Sequence, residues 1–185
     1  NYLVKKVEDL PRVLKEAFYI ARTGRPGPVV VDVAKDVFDT KLDYAYPESV
    51  HLRGYSGENI GDEREIDAVV EAIRAAKKPL VFAGGGVILS ETADVLQDIV
   101  RRLGAPSTAT LLGLGAIPAD EKGFLSFAGM HGSYGANMAI QECDLLLCVG
   151  MRFSDRVTGK VSEFAPHAKI VHFEIDRAEL NKNVA

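Results

Sequence analysis

The stretch from Cys143 to Gly159, CDLLLCVGMRFSDRVTG, limits the fold more than any other part of the chain. Leu145 to Val149 is an unbroken apolar run closed by Gly150, short and bounded enough to predict a strand buried on both faces of a parallel sheet. In an open α/β sheet, ligands lie in the crevice beyond the carboxyl ends of the strands. A loop that opens with Met151, Arg152 and Phe153 therefore stands where a ligand would lie. Arg152, Asp155 and Arg156 make this loop net positive, which favours an anionic ligand such as a phosphate. The other reading is a solvated surface loop with a local ion pair.

The same strand-then-glycine pattern recurs. Val7 to Ala21 places Val13, Leu14, Ala17, Phe18 and Ala21 at helical spacing, and a stiff turn at Thr23 to Pro28 leads into the β-branched strand Val29 to Val33. One helix and one strand cannot bury their own apolar surface, so residues 1–41 read as the remnant of a domain that continues upstream. Residues 42–61, punctuated by Pro47, Gly54, Ser56, Gly57 and Gly61, read as an interdomain linker. Residues 62–185 then alternate. A helix over Asp62 to Lys78 (Ile66, Val69, Val70 and Ile73 on one face) precedes a strand at Pro79 to Ala83 that runs into Gly84-Gly85-Gly86. A helix from about Glu91 to Leu103 follows, with Ala93, Leu96, Val100 and Leu103 inward. Strands are predicted at Pro106 to Thr110, Leu145 to Val149 and Lys169 to Ile175, a helix at Ala136 to Glu142, and a final helix capped by Asp176. The class is α/β, a doubly wound, Rossmann-like parallel sheet. Four strands are visible in it, so at least one more is expected downstream of Ala185. With Asn1 at its start and Ala185 inside a polar helical pattern, the chain reads as a fragment.

Composition excludes several function classes. The net charge of -4 gives no electrostatic support to nucleic-acid binding. No apolar stretch approaches the roughly 20 residues of a spanning helix, and no basic-then-apolar segment opens the sequence, so no membrane role is expected. Cys143 and Cys148, the second inside the apolar run, read as buried thiols of a reducing compartment, cytoplasmic or plastid interior.

At the strand ends, Gly84 to Gly86 is a setting in which backbone N–H groups can approach a phosphate and a helix dipole favours negative charge. It is not a full dinucleotide fingerprint, because Leu89 occupies the third glycine position. The alternative is a tight turn. Gly129-Met130-His131-Gly132 puts a thioether and an imidazole before a helix, where His131 either faces a ligand or sits in a capped turn. His51, His167 and His172 have no ligand-like spacing, so no metal site is expected. There is no G-x-S-x-G elbow, no Walker loop and no carboxylate pair suited to acid and base roles.

Taken together and in order, GRPGP with VVVDVAKDV, then AGGG, TLLGLGAIP, GMHGSYGAN, GMRFSDRVTGKVSEFAP and HFEID resemble the catalytic subunits of the acetohydroxyacid synthase (acetolactate synthase) family of thiamine diphosphate enzymes. The resemblance implies that residues 1–41 end a pyrimidine-binding domain and that residues 62–185 are most of a central domain holding FAD. Arg25 and Gly84, Gly85 and Gly86 would lie near the diphosphate and adenosine of FAD. Thr110 and Leu111, with Gly129, Met130 and His131, would meet the flavin. Gly150, Met151, Arg152, Phe153 and Ser154 would line the cofactor, Glu174 and Ile175 would meet the adenosine, and Arg156 would stand at a substrate channel. Two positions depart from the family pattern. Ser154 replaces an aspartate, so a contact needing a carboxylate there is in question, and Ala34 replaces a proline.

The implied reaction removes CO2 from pyruvate on thiamine diphosphate and joins the remaining two-carbon unit to pyruvate or 2-oxobutyrate, in branched-chain amino acid biosynthesis. FAD has no net redox role in it. The glutamate that activates thiamine and the residues that hold Mg2+ would lie outside this chain, so the fragment alone is expected to be inactive. The resemblance also implies a homodimer or homotetramer of the full protein and admits a regulatory small subunit. Two other readings stay open: another thiamine diphosphate carboligase, oxidase or decarboxylase, and a non-catalytic nucleotide-binding module.

Overall fold

In the computed structural model, which describes residues 1–55, 57 and 61–184, the chain forms two units, residues 1–60 and 61–185. The first contains strand β1 (Tyr2–Val4), helix α1 (Leu10–Arg22), strand β2 (Val31–Val33) and a single helical turn α2 (Lys35–Phe38). The pair β1 and β2 is parallel, with Tyr2 opposite Val31 and Val4 opposite Val33. The sequence pattern misses β1, since three residues are too few to display a period of two. Val4, Val7, Val13 and Val37 form the small core. Helix α1 carries two overlapping apolar stripes, and the short strand pair covers one of them. Val13 and Ala17 are buried, whereas Leu14 and Phe18, predicted on the same face, are exposed. Glu16 is buried between them and offset by Arg12, whose guanidinium donates to it at 2.9 Å.

Irregular backbone follows and lies against α1. Lys15 donates to the carbonyl of Pro47 and sits over the Tyr46 ring at 4.9 Å, and the Tyr55 hydroxyl donates to the Thr23 carbonyl at 3.0 Å. Ser56, among the residues that mark the expected linker, lies outside the described residues, as do residues 58–60 and Ala185.

The second unit begins with α3 (Glu63–Ala75), capped by the Asp62 side chain, which accepts from the Arg64 N–H. Then come β3 (Pro79–Ala83), α4 (Gly85–Leu89), α5 (Ala93–Leu103), β4 (Ser107–Ala109), β5 (Phe124–Phe127), α6 (Tyr134–Glu142), β6 (Leu145–Val149), α7 (Asp155–Thr158) and β7 (Lys169–Phe173). Five strands form one sheet in the order β5-β4-β3-β6-β7, every pair parallel. Chain order reverses between β3 and β6, so this is a doubly wound sheet with its switch point at its centre.

A fifth strand lies inside the chain at Phe124–Phe127, where the sequence pattern predicts none. Its pattern is hard to read because Ser126 is left-handed (φ 69) and the register slips between Ser107 and Ala109, the geometry of a bulged edge strand. Immediately after β3 the glycine run opens a short helix, α4, which ends at Leu89 before α5 begins. At the far end, the helix expected after Asp176 is a single 3-10 turn, Arg177–Glu179, capped by the Asp176 carboxylate.

Alternation along each strand fills two cores. Leu80, Phe82, Leu146 and Cys148 face Ile140, Met151, Phe153 and Phe164 on one side, while Val81, Ala83, Leu145 and Leu147 face Leu96, Val100 and Ile117 on the other. As predicted, α5 turns Leu96 and Val100 inward and stops at Gly104, whose φ of +60 suits glycine. In α3, Val69 and Ile73 are partly buried and Ile66 and Val70 stay largely exposed. Both thiols are buried and free. Burial pushes the Cys143 thiol up to about 11 and raises that of Cys148 well above the usual thiol range.

Two predictions arise here. The Ser107 hydroxyl is fully buried and has no hydrogen-bond partner among the described residues. Leaving a buried polar group unpaired costs about 1–3 kcal/mol, so Ser107→Ala is expected to stabilise the fold by about 1 kcal/mol in urea denaturation. Asp144 joins β6 to the start of β3 by accepting from the N–H groups of Lys77 (2.7 Å) and Lys78 (2.9 Å), which holds its carboxyl below the usual range. A depressed folded pKa contributes stability above the unfolded carboxylate pKa, and that contribution is lost as pH falls through the folded value. The stability gap between wild type and Asp144→Ala should therefore be widest near neutrality and close on acidification; a gap constant with pH would contradict the assignment.

Candidate functional site

Because all five strands are parallel, the residues that follow each one gather at one rim of the sheet. Gly84 to Gly86 follow β3, Thr110 and Leu111 follow β4, Gly129 to His131 follow β5, Gly150 to Ser154 follow β6, and Glu174 and Ile175 follow β7. The sequence-predicted residues of the second unit, spread over some ninety positions, thus share the carboxyl rim. Arg25 is exposed in the first unit. Arg156 is exposed on α7, with Asp155 at 3.6 Å.

At the switch point, the loops after β3 and β6 are pressed together. Gly84 N–H donates to the Val149 carbonyl (2.8 Å) and Gly86 N–H to the Gly150 carbonyl (2.9 Å). A Cβ on Gly84 would lie 2.1 Å from the Gly150 carbonyl oxygen, and one on Gly86 2.8 Å from the Gly150 Cα. Close approach of the neighbouring loop, rather than positive φ, is what demands glycine here, and it engages two N–H groups that the sequence offered to a phosphate. Gly150 itself has φ +64 and donates to the Phe173 carbonyl at 2.9 Å, so three strand ends are tied in series.

Thr110 caps the turn Leu111–Gly113, its hydroxyl oxygen accepting from Gly113 N–H at 3.1 Å. That turn leaves Leu111 and Leu112 largely exposed, an apolar shelf at the rim. Across β4, Gly129 takes φ +115, and Asn137 of α6 clamps it, its side-chain oxygen accepting from Gly129 N–H (2.9 Å) and its amide donating to the Gly129 carbonyl (3.1 Å). Met130 N–H donates to the Arg156 carbonyl at 2.9 Å, and the Met130 and His131 side chains are exposed.

In the loop after β6 the side chains alternate. Met151 and Phe153 are buried, while Arg152 and Ser154 are exposed. The Phe153 ring meets Phe164 edge-on at 5.9 Å, so any contribution of Met151 or Phe153 at the rim is through backbone. Glu174 is partly buried, accepting from Asp176 N–H at 3.2 Å. Gly113, Asn137 and His172 also shape this rim, although nothing in their spacing singled them out.

Chemically, the rim suits an anion with a flat apolar part. Helix α6 begins here, bringing the positive end of its dipole, and Arg152 is exposed in the loop that follows β6. A cavity of about 580 Å³ at the opposite end, lined by Lys78, Pro79, Pro106 and Cys143, is bounded by the carboxyl ends of α3, α5 and α6. Their dipoles disfavour an anion. Among the described residues no three His, Cys, Asp or Glu side chains converge to hold a metal ion, and no helix is long and apolar enough to cross a membrane.

The family described as "Thiamine pyrophosphate enzyme, central domain" matches residues 66–185. Over its whole length the chain is 47% identical to the acetolactate synthase large subunit of Haemophilus influenzae and 44% identical to the probable acetolactate synthase large subunit of Methanocaldococcus jannaschii, covering 32% of each. It is 45% identical, over 99% of its length, to acetolactate synthase 2, chloroplastic, of Nicotiana tabacum, covering 28% of it. The chain thus spans about a third of the length of the curated relatives it matches. With that match over the whole parallel sheet, the chain belongs to the thiamine pyrophosphate enzyme family, and residues 66–185 belong to its central domain.

Proposed function

We propose that this chain is the FAD-holding part of an acetolactate synthase large subunit, its second unit forming the central domain and residues 1–41 the end of a pyrimidine-binding domain. The observation that carries the reading is the convergence of five separately chosen segments on one anion-favouring rim, in a chain 44–47% identical to acetolactate synthase large subunits. The rim's residues fit FAD. Arg152 and the amino end of α6 suit the diphosphate, Glu174 and Ile175 would meet the adenosine part, and exposed Leu111 and Met130 suit a flat ring, with His131 beside them. Gly84, Gly85, Gly86 and Gly129 contribute closeness of backbone rather than side chains. Ser154 offers a hydroxyl where the family pattern has a carboxylate. Arg156 would face the substrate channel.

Thiamine diphosphate, held with Mg2+ by residues outside this chain, supplies the electron sink that lets pyruvate lose CO2. This chain binds and orients FAD. The substrates are then pyruvate with pyruvate or 2-oxobutyrate, in a homodimer or homotetramer with or without a small subunit, in a cytoplasm or plastid interior. The test is an FAD titration of the purified protein followed by flavin fluorescence. A charge-assisted hydrogen bond is worth about 1.5–3 kcal/mol, so Arg152→Ala should weaken FAD about 10- to 100-fold. Arg101→Ala, which breaks a pair with Glu121 on α5, should leave binding unchanged. No FAD binding by the wild type would sink the flavin reading. An activity other than acetolactate formation from pyruvate would sink the synthase reading.

A further inference from the structure

We propose that His172 is the positioning residue of the Arg152 loop: from β7 it fixes the backbone that aims the guanidinium at the rim. The inference rests on the FAD reading above for its ligand, but its geometry does not. His172 Nε2 lies 2.6 Å from the Met151 carbonyl, and since a carbonyl only accepts, this nitrogen carries the proton and donates. The ring has two further neighbours. Phe153 packs edge-on against it with centroids 4.8 Å apart, and the Glu174 carboxylate, whose side chain is 6% exposed, stands 4.0 Å from Nε2. Gly150 N–H, one residue before Met151, is bound by the Phe173 carbonyl, one residue after His172, so β7 grips the loop through one backbone and one side-chain bond.

The consequence follows from alternation. Met151 is 4% exposed and Phe153 3%, so with these two turned inward Arg152 between them must turn out. Releasing the Met151 carbonyl frees that peptide to rotate, and the guanidinium direction is set by its two neighbouring peptides. Asn183 donates to the Phe153 carbonyl at 2.9 Å and holds the loop from its other end. His172 therefore acts through Arg152 and need not touch the ligand. Its donor is what matters, because a ring of the same shape without an N–H keeps the packing against Phe153 and loses the bond.

The experiment compares His172→Phe, which keeps the ring, with His172→Gln, whose amide N–H can take the place of Nε2, in the purified protein. Should His172→Phe fail to fold, His172→Met, flexible and without a donor, takes its place. In the absence of any ligand, hydrogen exchange of the 150–153 segment is expected to speed up about tenfold in His172→Phe and stay within about threefold of wild type in His172→Gln, the tenfold being one lost hydrogen bond. Exchange in α5 should not change. With FAD as probe, His172→Phe should weaken binding by about tenfold in the wild-type background and by less than about twofold in the Arg152→Ala background, the signature of one residue acting through the other. Unchanged exchange at 150–153, or equal FAD losses in both backgrounds, would overturn the proposal. If the wild type binds no FAD, the flavin reading falls, and the exchange comparison alone decides whether His172 holds the loop.

Discussion

Gly84→Ala is expected to unfold the second unit or to cost it about 3 kcal/mol or more, among the largest effects of any single methyl group in this chain. The added Cβ would sit 2.1 Å from the Gly150 carbonyl oxygen and 2.5 Å from the Met151 Cβ. Neither atom is the far end of a flexible side chain. Relief requires the loops after β3 and β6 to separate, breaking the bonds from Gly84 N–H to Val149 and from Gly86 N–H to Gly150. Gly135→Ala provides the contrast. Gly135 lies inside α6, its Cβ position has nothing within 4 Å, and its φ is not positive, so alanine there should stabilise by roughly 0.5–1 kcal/mol. Urea denaturation of both variants checks the pair. Two small, equal effects would show that the loops part readily.

Phe82→Ala is the second large effect, with an expected loss of about 3–5 kcal/mol. Phe82 sits in the central strand, is fully buried, and shares a core with Leu80, Leu146, Cys148 and Ile140. Strands on both sides of β3 fix its backbone, so the space left by the ring collapses poorly. Met151 and Phe153 belong to the same core. The cavity therefore opens beneath the loop that carries Arg152, and under the proposed function the variant should lose FAD affinity as well as stability. A loss under about 1.5 kcal/mol, the range of a volume-conserving swap, would mean the core repacks freely.

Much of this architecture was legible before any coordinates. The run Leu145 to Val149 reads as a doubly buried strand because it carries no polar residue on either face, and β3 reads the same way. Alternation of strand and helix then leaves a parallel sheet as the only economical arrangement, and parallel strands put their following loops on one rim. What stayed hidden was short or irregular. Strand β1 is too brief to show a period, and β5 is broken by Ser126 in a left-handed conformation. The burial phase of α1 was also open, since two apolar stripes compete and a strand pair of three residues each covers one.

The candidate rim divides along the same line. Residue chemistry could be read locally: glycines after apolar runs, an arginine after Gly150, an imidazole after Gly129. The reason for those glycines could not, because it lies in contacts between residues some sixty positions apart, where Gly84 and Gly86 meet Gly150. Asn137 and His172 were silent for a related cause, since each works through backbone groups of another loop, Asn137 by two hydrogen bonds to Gly129 and His172 by one to the Met151 carbonyl. Composition and period are properties of neighbours in sequence, and they determined the class, four of the five strands of the sheet and the polarity of its rim. Strand order, the phase of α1 and the partners of the rim's backbone groups depend on long-range packing, and only the tertiary structure decided them.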